Sequence, residues 1–268
     1  MPSTYAHYKF GKKVRKRLPQ NIKNSIQKYD RLYMIGLHGP DIFFYYKPLC
    51  QNPVNTYGYH MHSRKGADVF SEMFNRSQEL CGAEKEAVQA YIYGFLCHFA
   101  LDRTCHPFVE EWINKSGIPH AEIEVEFDRA LMIHYGLNPL KHKLTKHIST
   151  DIKEAEIIRY VFPQFSSSQI RKSLMQMKFF NNLFVAPGII KRILVKGFIK
   201  LTGNSKEMSG LIVHYNMNEK CRDSTSTLIH LYYNAVDMAV EMITEMSAAF
   251  ESGQIIPDEK YNHTFGAD

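Results

Sequence analysis

Cysteine is scarce and unpaired in pattern: Cys50, Cys81, Cys97, Cys105 and Cys221 are odd in number, widely spaced and free of any Cys-x-x-Cys pair. That excludes both a disulfide framework and a thiolate zinc site, and it leaves Cys97 and Cys105 as small packing residues. Tryptophan is reduced to Trp112 alone. No apolar run reaches the roughly 18 residues that a membrane-spanning helix needs. The early cations Lys9, Lys12, Lys13, Arg15, Lys16 and Arg17 precede no apolar signal core, so a cytoplasmic protein is expected. Low-complexity tracts, repeats and convincing alternating strands are missing as well, which leaves an all-α chain as the expected fold class.

What is present suffices for a large core. The chain has 268 residues, 44% of them hydrophobic and 13% aromatic. A net charge of +6 favours anionic partners such as phosphates, nucleic acid or acidic lipid without choosing among them.

Apolar spacing predicts helices over 4–17, 20–36, 60–80, 84–105, 119–135, 151–162, 167–183, 188–202 and 224–252. The breakers between them are Pro19, Gly39-Pro40, Gln51-Asn-Pro53, Gly82, Gly117-Ile-Pro119, Asn138-Pro139, Pro187-Gly188 and Gly203-Asn204. Pro107 is expected to stop the 84–105 helix, leaving His106 at its end and slightly off the stripe of His98 and Asp102. The simplest organisation is one all-α domain over 1–268, with the chemistry in 1–136 and packing helices in 150–255. A break near 137–150, rich in Lys and His, is the alternative boundary.

The chemistry concentrates in His98-Phe-Ala-Leu-Asp102-Arg-Thr-Cys-His106-Pro107 and in His120-Ala-Glu-Ile-Glu124. Residues four apart stack on one helix face, so His98 with Asp102, and His120 with Glu124, each form a chelating pair. Imidazole and carboxylate suit zinc, and three protein ligands with an open position characterise catalytic zinc.

These motifs resemble the ligand run of the zinc-dependent phospholipase C family, whose wider relatives include fungal single-strand nucleases. Gly36-Leu-His-Gly39-Pro40-Asp41-Ile42, Tyr59-His60-Met-His62 and Thr4-Tyr-Ala-His7 extend the resemblance over residues 4 to 128. It implies a multi-helix bundle holding two or three zinc ions, with Asp102 as the bridging carboxylate. Asp41, a histidine of the 60/62 pair and His98 would complete one site, and His62 is favoured because it is expected to start the helical run of 63–70. His106, His120 and Glu124 resemble the ligands of a second zinc, and His7 the histidine of a third. Secreted members complete that third site with an amino-terminal tryptophan, whereas this chain begins Met1-Pro2-Ser3, so a processed amine at Pro2 or a water would have to serve. The Asp102–His106 gap is also shorter than in those enzymes.

The expected activity is phosphodiester hydrolysis by metal-held hydroxide, with Asp41 and Asp102 as the catalytic carboxylates and a phospholipid headgroup ester as substrate. Glu126 and Asp128 are candidate acceptors for the imidazole N–H groups. Rival readings are nuclease or nucleotidase chemistry at the same metals, and a non-catalytic zinc-containing binding protein. No specific nucleic-acid partner is expected, because the aromatic run Phe43-Phe-Tyr-Tyr46 reads as core and pocket wall. His38 is read as a ligand or as a cap of the Gly39-Pro40 turn. His134, His142, His147, His214, His230 and His263 read as packing residues. Outside the metal region, the segment 187–201 interleaves Lys191, Arg192, Lys196 and Lys200 with apolar residues, as a helix in an anionic lipid interface would; packing on the protein's own body is the commoner use of such a helix, and peripheral membrane contact through 187–201 is the alternative.

Overall fold

Among the described residues every regular element is helical, as the apolar periodicity requires; the structure is a computed structural model describing residues 3–201, 210–254 and 259–267. The breaker Gly203-Asn204, and Met1 with Pro2, lie outside the described residues. In chain order the helices are α1 (Thr4–Arg17), α2 (Gln20–Lys28), α3 (Asp30–Gly36), α4 (Pro53–His62), α5 (Gly66–Gln78), α6 (Gly82–Ser116), α7 (His120–His134), α8 (Ile152–Val161), α9 (Ser167–Phe184), α10 (Ile189–Leu201) and α11 (Arg222–Ser252). Short 3-10 segments cover Gly39–Tyr45, Glu219–Cys221 and Glu259–Tyr261. No described helix is long and apolar enough to cross a membrane.

Helix α6 forms the axis, packed chiefly against α3 and α11, with α1, α5 and α8 also touching it. Two glycines set the α3–α6 crossing. A Cβ on Gly94 would stand 2.2 Å from the Tyr33 carbonyl, and one on Gly36 would stand 2.3 Å from the Tyr91 carbonyl. The buried core is continuous from Tyr5 to Phe265, so residues near both ends of the chain contribute to it. A small separate cluster of Ala186, Val195, Ile199 and Ile212 holds α10.

Three helices depart from the sequence expectations. The 20–36 helix is divided at Tyr29, whose backbone (φ −121°, ψ 38°) leaves the helical region. The 60–80 helix is two helices: Asn52 caps α4 through a reciprocal capping box and Pro53 opens it. His62 therefore ends a helix rather than starting one. Most consequential, α6 passes straight through Pro107. An interior proline lacks the N–H of a helical hydrogen bond and costs about 3 kcal/mol, but beyond it Val109 is buried and Phe108, Trp112 and Ile113 pack half-buried against the core, contacts that a stop at the proline would forfeit. The actual stop is Gly117, left-handed at φ 70°, whose N–H bonds to the Ile113 carbonyl.

Candidate metal centre

Because α6 continues, His98, Asp102 and His106 form one stripe with successive four-residue steps. His98 Nε2 is 2.9 Å from Asp102 Oδ2, and His106 Nε2 is 3.8 Å from Asp102 Oδ1. His106 is on the stripe, not off it.

Three other segments converge on Asp102. From α1, His7 Nε2 reaches Asp102 Oδ1 at 3.1 Å, its ring stacked on that of His98. From the end of α4, His62 Nε2 lies 3.1 Å from Asp41 Oδ1 and 4.0 Å from Asp102 Oδ2, while His60 is exposed on the outer face. Asp41 sits in the 3-10 segment after Gly39. That glycine has φ 46°, and a Cβ there would stand 2.2 Å from the His98 ring, so the sequence uses glycine where the chain must pass against an imidazole. From α7, His120 Nε2 lies 3.2 Å from Glu124 Oε2, and Glu124 Oε1 faces His106 Nε2 at 3.6 Å. Ser3 Oγ donates to the same Oε1 at 3.3 Å, a contact no motif indicated.

All eight residues named from sequence, three of them carboxylates, are thus brought close together. They fall into three sets close enough to hold an ion: His7, Asp41 and His98; His62, His98 and Asp102; His106, His120 and Glu124. Asp102 joins them, since Oδ2 faces His98 and His62 while Oδ1 faces His7 and His106.

The electrostatics ask for a cation. Asp41, Asp102 and Glu124 are all buried, a state carboxylates tolerate when paired or bound to metal. Burial would raise the Asp102 pKa, but His98, His106 and His7 outweigh it and hold the carboxyl well below its usual range. Asp41 is lowered in the same way, burial being overcome by His98 and His62. Glu124 is well below its ordinary value, His120 and His106 contributing against burial. His98 is pushed toward its neutral form by burial, despite Asp102. His106 is raised to about 9, because Asp102 and Glu124 outweigh its own desolvation. Ionised carboxylates beside the neutral His98 are in the state a metal requires of its ligands, whereas His106 would have to give up a proton to bind one.

Geometry points the same way. Asp41 Oδ1, His98 Nε2 and His120 Nε2 are buried without a hydrogen-bond partner, although each lies within 3.2 Å of an oppositely typed atom. The donor and acceptor directions miss each other and converge on the space between. Imidazole nitrogens and carboxylate oxygens converging in that way fit zinc. His120, with 39% of its side chain exposed, marks the mouth of the centre, against 5% for Glu124 beside it.

The surrounding contacts differ from expectation. Asp128 takes no imidazole N–H; its two oxygens accept the backbone N–H groups of Tyr5 (2.9 Å) and Ala6 (2.8 Å), capping α1 from another helix. Glu126 faces Arg129 at 3.8 Å instead. Two of the imidazoles find backbone carbonyls, His62 Nδ1 pairing with Gly58 O at 2.9 Å and His106 Nδ1 with Phe265 O at 2.6 Å, while His7 Nδ1 and His98 Nδ1 are buried without a hydrogen-bond partner. The second contact comes from the far end of the chain. There Gly266 N–H donates to the His62 carbonyl, Gly66 N–H donates to the His263 carbonyl, and Phe265 is fully buried against His98, Phe95 and Phe99. His38 neither caps the turn nor joins the centre; its Nε2 meets His147 Nε2 at 2.7 Å, and His147 stacks on Tyr8. The aromatic run is packed inward, with Phe43 against Phe162 and Phe165.

Fold and site define an all-helical protein with a buried histidine–carboxylate centre that could hold metal ions. The sequence profile described as zinc dependent phospholipase C matches residues 6–172, more than half of the chain, and the chain belongs to that zinc-dependent family. No curated protein and no solved structure matches it.

Proposed function

We propose that the protein is a phospholipase C-like hydrolase of phosphodiesters that works with two or three zinc ions held by His7, Asp41, His62, His98, Asp102, His106, His120 and Glu124. The observation that carries this reading is the division of Asp102, one oxygen toward His98 and His62 and the other toward His7 and His106. A carboxylate placed in that manner bridges two sites, and bridged metals in hydrolases lie roughly 3.5–4 Å apart.

Zinc held there would lower the pKa of bound water and neutralise the phosphate oxygens. The chain's own part is positional. Asp102 fixes the spacing of the two halves, and Asp41 Oδ1, buried and without a hydrogen-bond partner, orients the attacking water by accepting its proton in a hydrogen bond. His120, with 39% of its side chain exposed, is where the centre comes nearest to solvent and where a substrate would approach. Phe265 excludes water from behind His98. An open mouth favours an enzyme over a closed structural zinc site. Phe43 and Phe44 are buried and Tyr45 and Tyr46 half-buried, which leaves little aromatic surface for base stacking and favours a phospholipid over a nucleic-acid substrate. A phospholipid is met at a surface, and segment 187–201 is the candidate for that peripheral contact.

Elemental analysis of protein grown with zinc, comparing the parent with His98→Ala and His120→Ala, tests the reading. Two or more zincs, each variant losing a different one, together with hydrolysis of a short-chain phospholipid, is the expected result. One zinc or none, indifferent to both substitutions, would move these residues to a binding protein's structural role.

A further inference from the structure

Helix α10 turns its buried stripe, Arg192, Val195 and Ile199, toward Ala186 and Ile212. At about 100° per residue that stripe is narrow, and the opposite side of the helix is left to solvent. It is strongly apolar: Ile189 is 69% exposed, Ile190 78%, Ile193 65%, Leu194 68% and Leu201 88%. Five aliphatic side chains on one short helix form an exposed patch of the kind soluble surfaces rarely carry without a partner.

The four cations of α10 do two different jobs. Lys191 Nζ donates to the carbonyls of Asn182 and Val185, and Arg192 donates to those of Ala186 and Val213 while lying 4.1 Å over the Tyr215 ring. Those two fasten the helix to the body. Lys196 and Lys200 are exposed, four residues apart, on the flank between the buried stripe and the apolar face. There is no carboxylate anywhere in the helix.

We infer that the outer face of α10 docks on a lipid surface containing anionic headgroups, with Ile189, Ile190, Ile193, Leu194 and Leu201 entering the acyl boundary and Lys196 and Lys200 meeting the headgroups. The inference rests on the phospholipid reading of the metal centre and names how that substrate is approached. Charge decides between lipid and a second copy of the chain. Two such faces pressed together would juxtapose the lysines of both copies with no acid on either helix to pair them. An anionic bilayer supplies the missing charge at about the depth where a lysine stem can reach out beside buried aliphatic side chains. The face also lacks the aromatic and arginine anchors that concentrate energy in protein interfaces.

The test is co-sedimentation of the full chain with vesicles of phosphatidylcholine alone, and of phosphatidylcholine with about a quarter phosphatidylserine. The parent is expected to sediment with the mixed vesicles and to be released by salt. Lys196→Glu with Lys200→Glu should weaken that binding by about thirtyfold or more, since each lysine near an anionic surface is worth about a factor of five in affinity. Ile190→Glu with Leu194→Glu should abolish binding to both vesicles. Each variant should keep its helical circular dichroism and its hydrolysis of a short-chain, freely dissolved phospholipid. No sedimentation by the parent, or sedimentation indifferent to both variants, overturns the docking. So does a dimer of the parent that Leu194→Glu dissociates. Hydrolysis of the dissolved substrate separates the two readings: its loss with vesicle binding intact sinks the hydrolase, and its presence without vesicle binding sinks the docking.

Discussion

Phe265 gives its carbonyl to the Nδ1 of His106 across 2.6 Å, so a residue near the far end of the chain fixes the ring of a proposed zinc ligand on α6. The N–H must then reside on Nδ1, and Nε2 is left to face Asp102 and Glu124. One residue on, Gly266 ties the end of α4 where His62 sits. The segment lies outside the residues 6–172 that carry the family resemblance, yet it holds two of the family's proposed ligands.

Phe265→Ala therefore acts on metal binding as well as on stability. Removing a fully buried phenyl ring costs about 3–5 kcal/mol, and losing the support of an imidazole costs about 10–100-fold in metal affinity. Phe265→Leu, which keeps most of the volume and the carbonyl position, should restore much of the affinity. Chelator-competition titration with zinc measures this; parental affinity in folded Phe265→Ala would show that the strap does not position His106.

Asp102→Asn keeps size and shape while removing the charge between the two halves. Zinc content should fall by more than one ion, and hydrolysis should fall to background, because one carboxylate serves both sides, each oxygen facing one of them. Elemental analysis and a phosphodiester assay report the two effects independently. Retained activity would remove Asp102 from its bridging role.

Metal itself should stabilise the fold. Burying Asp41, Asp102 and Glu124 with histidines as their close partners leaves negative charge that a divalent ion neutralises. At a free zinc concentration about a hundredfold above Kd, linkage gives about 2.7 kcal/mol, visible as a higher melting temperature that a chelator reverses. Magnesium should give little, since imidazole nitrogen suits it poorly. Equal stabilisation by both ions would argue for an oxygen-only site elsewhere.

Much of this was legible in the sequence because side chains carry it. The four-residue spacings of His98/Asp102 and His120/Glu124, and the histidines and acids gathered around them, are statements about residue type and helical period. Three things were not legible, each for a physical reason. Pro107 signals a stop, but the packing of Val109, Phe108, Trp112 and Ile113 beyond it outweighs one lost hydrogen bond, and with the helix unbroken His106 falls on the stripe. The strap works through backbone atoms of Phe265 and Gly266, which have no signature in residue type. His38 and His147 look like isolated histidines because 109 positions separate them, and only the folded chain makes them a pair.

That pair has its own pH signature. His147 is pushed down to about 3, first by burial and then by Lys178 and Lys12, from an ordinary value near 6.5. Burial also holds His38 well below its usual range. The unfolded chain takes up this proton at a higher pH than the folded one, so the contribution to stability is complete above about pH 6.5 and is lost as pH falls toward 3. One such proton gives a slope of about 1.4 kcal/mol per pH unit within that window. Denaturant titrations of chelated protein across it should show a shallower dependence in His147→Gln than in the parent. Identical slopes would mean that His147 is accessible to protons in the folded state.

Asp128 provides the separation of structure from metal chemistry. Its two oxygens accept from two successive N–H groups at the start of α1, where Ser3 offers no side-chain cap. An asparagine has one oxygen and would turn its NH₂ toward the other N–H, so Asp128→Asn should lower stability by about 1–3 kcal/mol. The disturbance falls first on α1, which carries His7, and reaches the His106, His120 and Glu124 set through Ser3, whose Oγ donates to Glu124, and through α7 itself. Zinc titration of Asp128→Asn should therefore show weakening greatest at the ion that His7 helps to hold, whereas a simple loss of folded protein would reduce every site in proportion. A uniform reduction would assign Asp128 to stability alone and free His7 from dependence on the α1 cap.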